Sequence, residues 1–143
     1  MIGLDTNVLA RYVVRDDPAQ TAAATRLIES ECTAESPGIV TLVVLCELVW
    51  VLERGYRYRR GEIAGVLRSL LGAQEIRVEG ADLAWQALNG YEDGRAGFAD
   101  FVIGLSARQE GAESTWTFDR EAAGSGIFKL IGGAGPRAGR RLK

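Results

Sequence analysis

Four acidic residues, spread along the chain, lie at positions where a carboxylate could bind a ligand: Asp5, Glu47, Asp100 and Asp119. The sequence contains no histidine, which excludes Ser-His and Cys-His nucleophile pairs, a histidine base and histidine-ligated zinc or iron. An all-oxygen site favours Mg²⁺ or Mn²⁺ over softer metals. If the four carboxylates converge, a divalent cation offsets their repulsion and can lower the pKa of a bound water for attack on a phosphodiester.

Asp5 lies where the pattern predicts that a strand passes into a helix. Residues 1–4 form an apolar run, and the apolar residues after Asn7 recur at helical spacing. In parallel α/β sheets, ligands bind at this edge because strand ends and helix N-termini meet there. The alternative is that Asp5 or Thr6 only caps the helix by accepting hydrogen bonds from its first free N–H groups.

Glu47 is the one interior charge of a segment that predicts a helix over residues 42–53. Five apolar residues precede Glu47 and five follow it, so we expect a buried helix. A buried carboxylate must be protonated, pair with a cation or bind a metal, because removing its charge from water is costly. A structural pair with an arginine is the alternative to a site.

Asp100 and Asp119 each begin or end a predicted element. Asp100 lies in the first turn of a helix predicted over residues 98–107, where the helix dipole favours an acidic side chain. That is a sufficient structural reason for its presence, yet its aromatic and aliphatic neighbours are expected to be buried. Asp119 ends a strand pattern over residues 114–119 and so repeats the situation of Asp5.

The elements that must position these acids alternate between helices and short strands. Periodicity and Gly/Pro breaks also predict helices over residues 18–31, 62–71 and 81–91, strands over 39–41, 76–78 and 127–131, and at most a helical turn within 120–125. Trp85 in one of these helices is predicted to pack in the core. No repeat or domain boundary is evident, so the order indicates a single α/β domain.

Composition supports an ordinary globular domain. The 143 residues suffice for one hydrophobic core without disulfides or a structural metal, and the 47% hydrophobic and 25% charged fractions are typical of that class. No segment has the length of a membrane span. The sequence opens on the first predicted strand without a charged leader, so we expect a cytoplasmic protein, with Cys32 and Cys46 as reduced thiols.

The net charge of −2 combines an acidic body with a basic end. The last seven residues contain four basic residues and no acid; without them, 13 basic residues face 19 acidic ones. The body therefore lacks the charge of a general nucleic-acid-binding protein. We expect a domain over residues 1–131 and a flexible, Gly- and Arg-rich tail over residues 132–143.

A second basic segment, residues 54–60, interleaves four arginines with two tyrosines. Such a composition can contact phosphates and stack on unpaired bases. The alternative is a solvated connector, as most runs of this kind are. The candidate RNA-binding residues are Arg54, Arg57, Arg59 and Arg60.

Four motifs resemble those of the PIN-domain ribonucleases, specifically the VapC toxins of bacterial toxin-antitoxin pairs. They are Asp5-Thr6-Asn7-Val8-Leu9, Glu47 within an apolar helix, Phe98-Ala99-Asp100 and Thr117-Phe118-Asp119. The similarity runs through nearly the whole chain. It implies a single PIN-like domain with a central parallel β-sheet flanked by helices, and endonucleolytic cleavage of RNA.

The resemblance also implies roles for the four acids around Mg²⁺ or Mn²⁺. Asp5 and Asp100 would be direct metal ligands, Glu47 a ligand or a group that positions water, and Asp119 an inner- or outer-sphere support. Further partners implied by the family are a second copy of the chain, forming a homodimer, and a cognate antitoxin whose tail covers the active site.

Three polar neighbours of the acids match the family's usual flanks. The resemblance implies that Thr6, Asn7 and Thr117 orient carboxylates or water by hydrogen bonds. Gly97 lies where some relatives carry a further acid, and the segment after Asp119 lacks a frequent aromatic residue. Neither difference removes one of the four acids.

Two other functions remain open from the sequence. One is a haloacid-dehalogenase-like phosphatase with Asp5 as covalent nucleophile, although that family normally has a second aspartate where Asn7 stands. The other is a PIN-like module that binds RNA or a protein without cleavage. The presence of all four acids argues against it.

Overall fold

The structure is a computed structural model that describes residues 1–132. Of the predicted flexible tail over residues 132–143, all but Gly132 lies outside the described residues, so that prediction stays a prediction.

Seven helices and four short strands alternate along residues 1–132, in the predicted order. The helices are α1 (Thr6–Val14), α2 (Pro18–Glu31), α3 (Leu42–Arg54), α4 (Arg60–Gly72), α5 (Ala81–Asp93), α6 (Phe98–Gln109) and α7 (Arg120–Ala123). The strands are β1 (Gly38–Val40), β2 (Ile76–Val78), β3 (Thr115–Thr117) and β4 (Phe128–Leu130).

The strands form two parallel pairs, β1 with β2 and β3 with β4. The predicted first strand is reduced to a parallel bridge between Gly3 and Ile39. There the Leu4 N–H donates to the Ile39 carbonyl at 2.9 Å, and the Ile39 N–H donates to the Ile2 carbonyl at 2.7 Å. The predicted α/β class, with parallel strands flanked by helices, is confirmed.

The core lies between the helices and the first parallel pair. Tyr91 and Phe98 are fully buried and meet edge to face, with ring centroids 6.1 Å apart. Helices α5 and α6 approach closely at Gly90, where an added Cβ would lie 2.5 Å from the Phe101 ring. Trp85 packs half-buried against this core, which confirms its predicted structural role.

The prediction that α3 is a buried helix is wrong. One side of α3 carries its buried residues: Leu45, Leu48, Val49 and Leu52. On the opposite side, Val43 and Trp50 are 68% and 61% exposed, and Glu47 between them is exposed as well. The residues of α3 itself are apolar on every side, so composition alone does not reveal which side faces solvent. The charge of Glu47 therefore carries no burial cost.

Cys32 is buried and Cys46 half-buried, and both are free thiols, as predicted. Burial raises the pKa of both thiols, which disfavours the reactive thiolate. Within residues 1–132, no helix combines the length and the apolar composition that a membrane crossing requires.

Candidate active site

Asp5 is the exposed N-cap residue of α1. Its Oδ1 accepts a hydrogen bond from the Val8 N–H at 3.0 Å, so the capping role considered from the sequence is present. This contact uses one carboxylate oxygen. Within residues 1–132, no group donates a hydrogen bond to the other oxygen, Oδ2.

Glu47 is joined to α1 through Thr6. The Thr6 hydroxyl donates to Glu47 Oε1 at 3.1 Å, although the two residues are 41 positions apart in sequence. The hydrogen bond orients Glu47 toward the N-terminus of α1, which Asp5 caps. Asn7, on the same turn of α1, is exposed.

Asp100 is half-buried in the first turn of α6. Its Oδ2 accepts a hydrogen bond from the Gly97 N–H at 3.0 Å. A Cβ at Gly97 would lie 3.2 Å from that oxygen, tighter than most such contacts. Glycine at this position therefore allows the Asp100 carboxylate to fold back over the helix end.

Asp119 is the exposed N-cap residue of the short helix α7. Its Oδ1 accepts hydrogen bonds from the N–H groups of Glu121 at 2.8 Å and Ala122 at 3.3 Å. Thr117 Oγ1 accepts a hydrogen bond from the Asp119 N–H at 3.0 Å. The backbone and the side chain of Asp119 are thus both held in place.

All four carboxylates share one arrangement. Each is held by hydrogen bonds to one oxygen, and within residues 1–132 no donor is bonded to its second oxygen. Capping a helix and binding a ligand are therefore compatible roles for the three aspartates. The sequence left open whether Asp5 caps a helix or binds a ligand, and the structure allows both.

Contacts between elements link the regions that carry three of the four acids. Thr6 links the Asp5 end of α1 to Glu47, and α6, which carries Asp100, packs against α3 and β3. Within the part of the chain that the structure describes, no three acidic or cysteine side chains lie close enough to bind one metal ion. The donor set is chemically suited to a hard cation because it contains only oxygen. Convergence of all four acids stays a prediction.

Arg60, which we predicted to contact RNA, is half-buried against the connection between α5 and α6. Its Nε donates to the Tyr91 carbonyl at 2.6 Å, and its two terminal nitrogens donate to the carbonyls of Arg95 and Ala96. The guanidinium also lies over the Tyr91 ring, with Cζ 3.9 Å from the centroid. Three of its five N–H donors and one face of the guanidinium are used inside the protein, which gives Arg60 a structural role, and its contact with RNA stays a prediction.

These contacts hold the segment that leads into Gly97 and Asp100. The Tyr91 hydroxyl extends them to α3 by donating to Glu53 Oε1 at 3.0 Å. Burial, together with the hydrogen bond to Glu53, raises the pKa of Tyr91, so its hydroxyl stays protonated near neutral pH. Sequence reasoning missed this positioning network, since Arg60 and its acceptors are 31 to 36 positions apart and no local pattern connects them.

The other three candidate RNA-binding residues, Arg54, Arg57 and Arg59, are exposed. Arg57 adopts a left-handed backbone conformation, with φ at 56°, in the connection between α3 and α4. The three side chains are accessible to a ligand on the surface.

Comparison with known proteins adds a family and one similar structure. A family model described as the PIN domain matches residues 2–124, a range that includes all four acids. Comparison with curated protein sequences gives no match. Among solved structures, the chain is similar to VapC20 of Mycobacterium tuberculosis, described as a toxin that cleaves the sarcin-ricin loop. The identity is 24%, over 89% of this chain and 96% of that chain, with a TM-score of 0.42.

We expect Arg60→Gln to lower the free energy of unfolding by about 1–3 kcal/mol, because three backbone carbonyls lose their charged donor. Urea denaturation at neutral pH measures this difference. The matched control is Arg57→Gln at an exposed site, which should change the value by less than about 0.5 kcal/mol. An unchanged unfolding free energy for Arg60→Gln would contradict the structural role of this arginine.

Proposed function

The chain belongs to the PIN domain family, and on this premise we propose that it is a metal-dependent endoribonuclease that acts as a VapC-like toxin. The observation that carries the proposal is the match of the PIN domain model over residues 2–124, which contain all four acids. Each of these carboxylates is held at one oxygen and, within residues 1–132, is unbonded at the other. Helix capping does not explain the whole set, since Glu47 lies in the middle of α3 and caps no helix.

The metal ion that fits this donor set is Mg²⁺ or Mn²⁺, because Asp5, Glu47, Asp100 and Asp119 offer oxygen ligands only. When bound, such an ion lowers the pKa of water and stabilises charge that develops on a phosphate. We assign Asp5 and Asp100 as direct ligands, Glu47 as a ligand or as the group that positions water, and Asp119 as support.

The chain's own contribution is to hold these carboxylates in place. Asp5, Asp100 and Asp119 lie at the N-termini of α1, α6 and α7, where backbone N–H groups and the helix dipole favour negative charge. This offsets part of the repulsion among the acids. The hydrogen bonds also restrict side-chain rotation, so less ordering is needed when a ligand binds.

Two threonines complete this support, and both roles belong to the proposal. The Thr6 hydroxyl fixes the direction of Glu47. Thr117 holds the backbone of Asp119 by accepting a hydrogen bond from its N–H. Asn7, exposed beside Asp5, is assigned to orienting water or substrate.

RNA must approach an acidic protein, so positive charge near the site is needed. Arg54 is exposed at the end of α3, the helix that carries Glu47, and Arg57 and Arg59 are exposed in the connection that follows it. We assign to these three arginines the contacts with RNA phosphates. Such contacts release counterions and make binding depend on salt.

The partners in this proposal follow from the resemblance of the four acidic motifs to VapC toxins. They are an RNA substrate, a cognate antitoxin that neutralises the nuclease and a second copy of the chain in a homodimer, acting in the cytoplasm. Membership of the PIN domain family argues against the phosphatase alternative, as does Asn7 at the position where that reaction needs a second aspartate.

We expect Asp5→Asn and Asp100→Asn to reduce cleavage of cellular RNA by about a hundredfold or more, because each removes a charged ligand. Asparagine still accepts the capping hydrogen bond, so both variants should fold. The control is Asp82→Asn, an acid in the first turn of α5, which should cleave like the wild type. Cleavage is measured with Mg²⁺ or Mn²⁺ and again in EDTA. Undiminished cleavage by either site variant would contradict the proposal.

We expect replacement of Arg54, Arg57 and Arg59 by Gln to weaken RNA binding and to make it less dependent on salt. The slope of log K against log salt should fall by about 0.7 for each phosphate that an arginine no longer neutralises. A control with the same net charge replaces three other exposed arginines: Arg26, Arg77 and Arg108. If both triple variants show the same slope, Arg54, Arg57 and Arg59 do not bind the RNA phosphates.

A further inference from the structure

The β3–β4 pair has one covered face and one open face. On the covered face, Phe128 is buried and packs near Gly104 of α6. On the open face, Trp116 is 60% exposed and Lys129 is exposed as well. Lys129 is the register partner of Trp116, so these two side chains project on the same side of the pair. Phe118, which directly follows β3, is 79% exposed.

This open face differs from an ordinary solvent face. Single exposed apolar residues are common on proteins and need no explanation. Here, however, Phe118 is the most exposed of the large hydrophobic residues described within residues 1–132, and a second aromatic side chain lies two positions before it. Ile131, also exposed, lies at the end of β4 beside the same pair of strands. Two exposed aromatic side chains and one exposed aliphatic side chain therefore lie on or directly after these two strands.

The chemistry of the surface indicates its ligand. Lys129 lies directly opposite Trp116 in the parallel register, and its Nζ is 5.8 Å from the centroid of the indole ring. Flat rings next to a cation match a nucleotide, whose base stacks on an aromatic face and whose phosphate pairs with a lysine. Bases in a duplex have their faces covered by neighbouring pairs, so the matching ligand is an unpaired strand.

The position of Phe118 beside Asp119, one of the four candidate site acids, is consistent with an unpaired RNA strand as the ligand. Phe118 directly precedes Asp119, whose carboxylate is held at the N-terminus of α7. One residue spans at most about 3.6 Å along an extended chain. A strand of RNA that contacts Phe118 would therefore pass the adjacent backbone of Asp119.

We propose that Trp116 and Phe118 form a stacking platform for unpaired bases of RNA, with Lys129 pairing with an adjacent phosphate, next to Asp119. The platform rests on the proposed function, because it assigns part of the substrate of the same site.

The test uses the full chain in EDTA, where binding is measured without cleavage, and a short single-stranded oligouridylate as the probe. Phe118→Leu keeps an apolar side chain but loses the flat ring, and it should weaken binding about tenfold. Phe118→Tyr keeps the ring and should bind like the wild type. Because Phe118 is mostly exposed, both variants should have the thermal stability of the wild type.

Two further measurements distinguish binding of an RNA base at Trp116 and Phe118 from binding of another ligand or a second copy of the chain. Stacking on Trp116 should quench its fluorescence when the oligouridylate binds, and Trp116→Phe should remove that part of the quenching. A fully paired RNA duplex should compete weakly. If Phe118→Leu instead changes the oligomeric state and leaves oligouridylate affinity unchanged, the face is an interface between copies of the chain and the proposal is overturned.

Failure of this inference can be told apart from failure of the proposed function. If the wild type cleaves RNA while Phe118→Leu and Phe118→Tyr bind oligouridylate equally well, the platform is wrong and the nuclease assignment stands. If oligouridylate affinity depends on the ring at position 118 but no RNA is cleaved with Mg²⁺ or Mn²⁺, the platform stands and the nuclease assignment fails.

Discussion

A carboxylate that caps a helix through one oxygen keeps the other oxygen for a ligand, and the candidate active site depends on this division. Asp5, Asp100 and Asp119 are each fixed by backbone N–H groups at a helix N-terminus. The same N–H groups and the helix dipole stabilise the negative charge. When α1, α6 and α7 form, the same hydrogen bonds therefore orient their acids.

Long-range contacts then link the elements that carry these acids. The hydrogen bond from Thr6 to Glu47 is one such link, joining α1 to the exposed side of α3. Arg60 is another, because it holds the segment before α6 through three carbonyls and the Tyr91 ring. Tyr91 and Glu53 carry the same network back to α3. An arginine distant in sequence from Asp100 thus holds the segment from which α6 begins.

The local elements and the four acidic positions could be predicted from the sequence because they depend on neighbouring residues. Strand-to-helix turns follow from an apolar run that stops at Asp5 and a strand pattern that stops at Asp119. The first-turn position of Asp100 follows from the helix that contains it. The exposure of Glu47 could not be predicted, because α3 is apolar on the side that faces solvent as well as in the core. The role of Arg60 was also missed, since it depends on which distant carbonyls the fold brings to the guanidinium. The arginines of this one segment therefore differ in burial: Arg60 is half-buried, while Arg54, Arg57 and Arg59 are exposed.

The central claim is that four oriented carboxylates form one cation site. Calorimetric titration of Mn²⁺ tests it most directly, using the wild type, the single variants Asp5→Asn, Glu47→Gln, Asp100→Asn and Asp119→Asn, and the control Asp82→Asn. The account predicts saturable binding to the wild type and the control, with affinity reduced about tenfold or more in each of the four site variants. Absence of Mn²⁺ binding to the wild type, or binding that none of the four substitutions weakens, would contradict it.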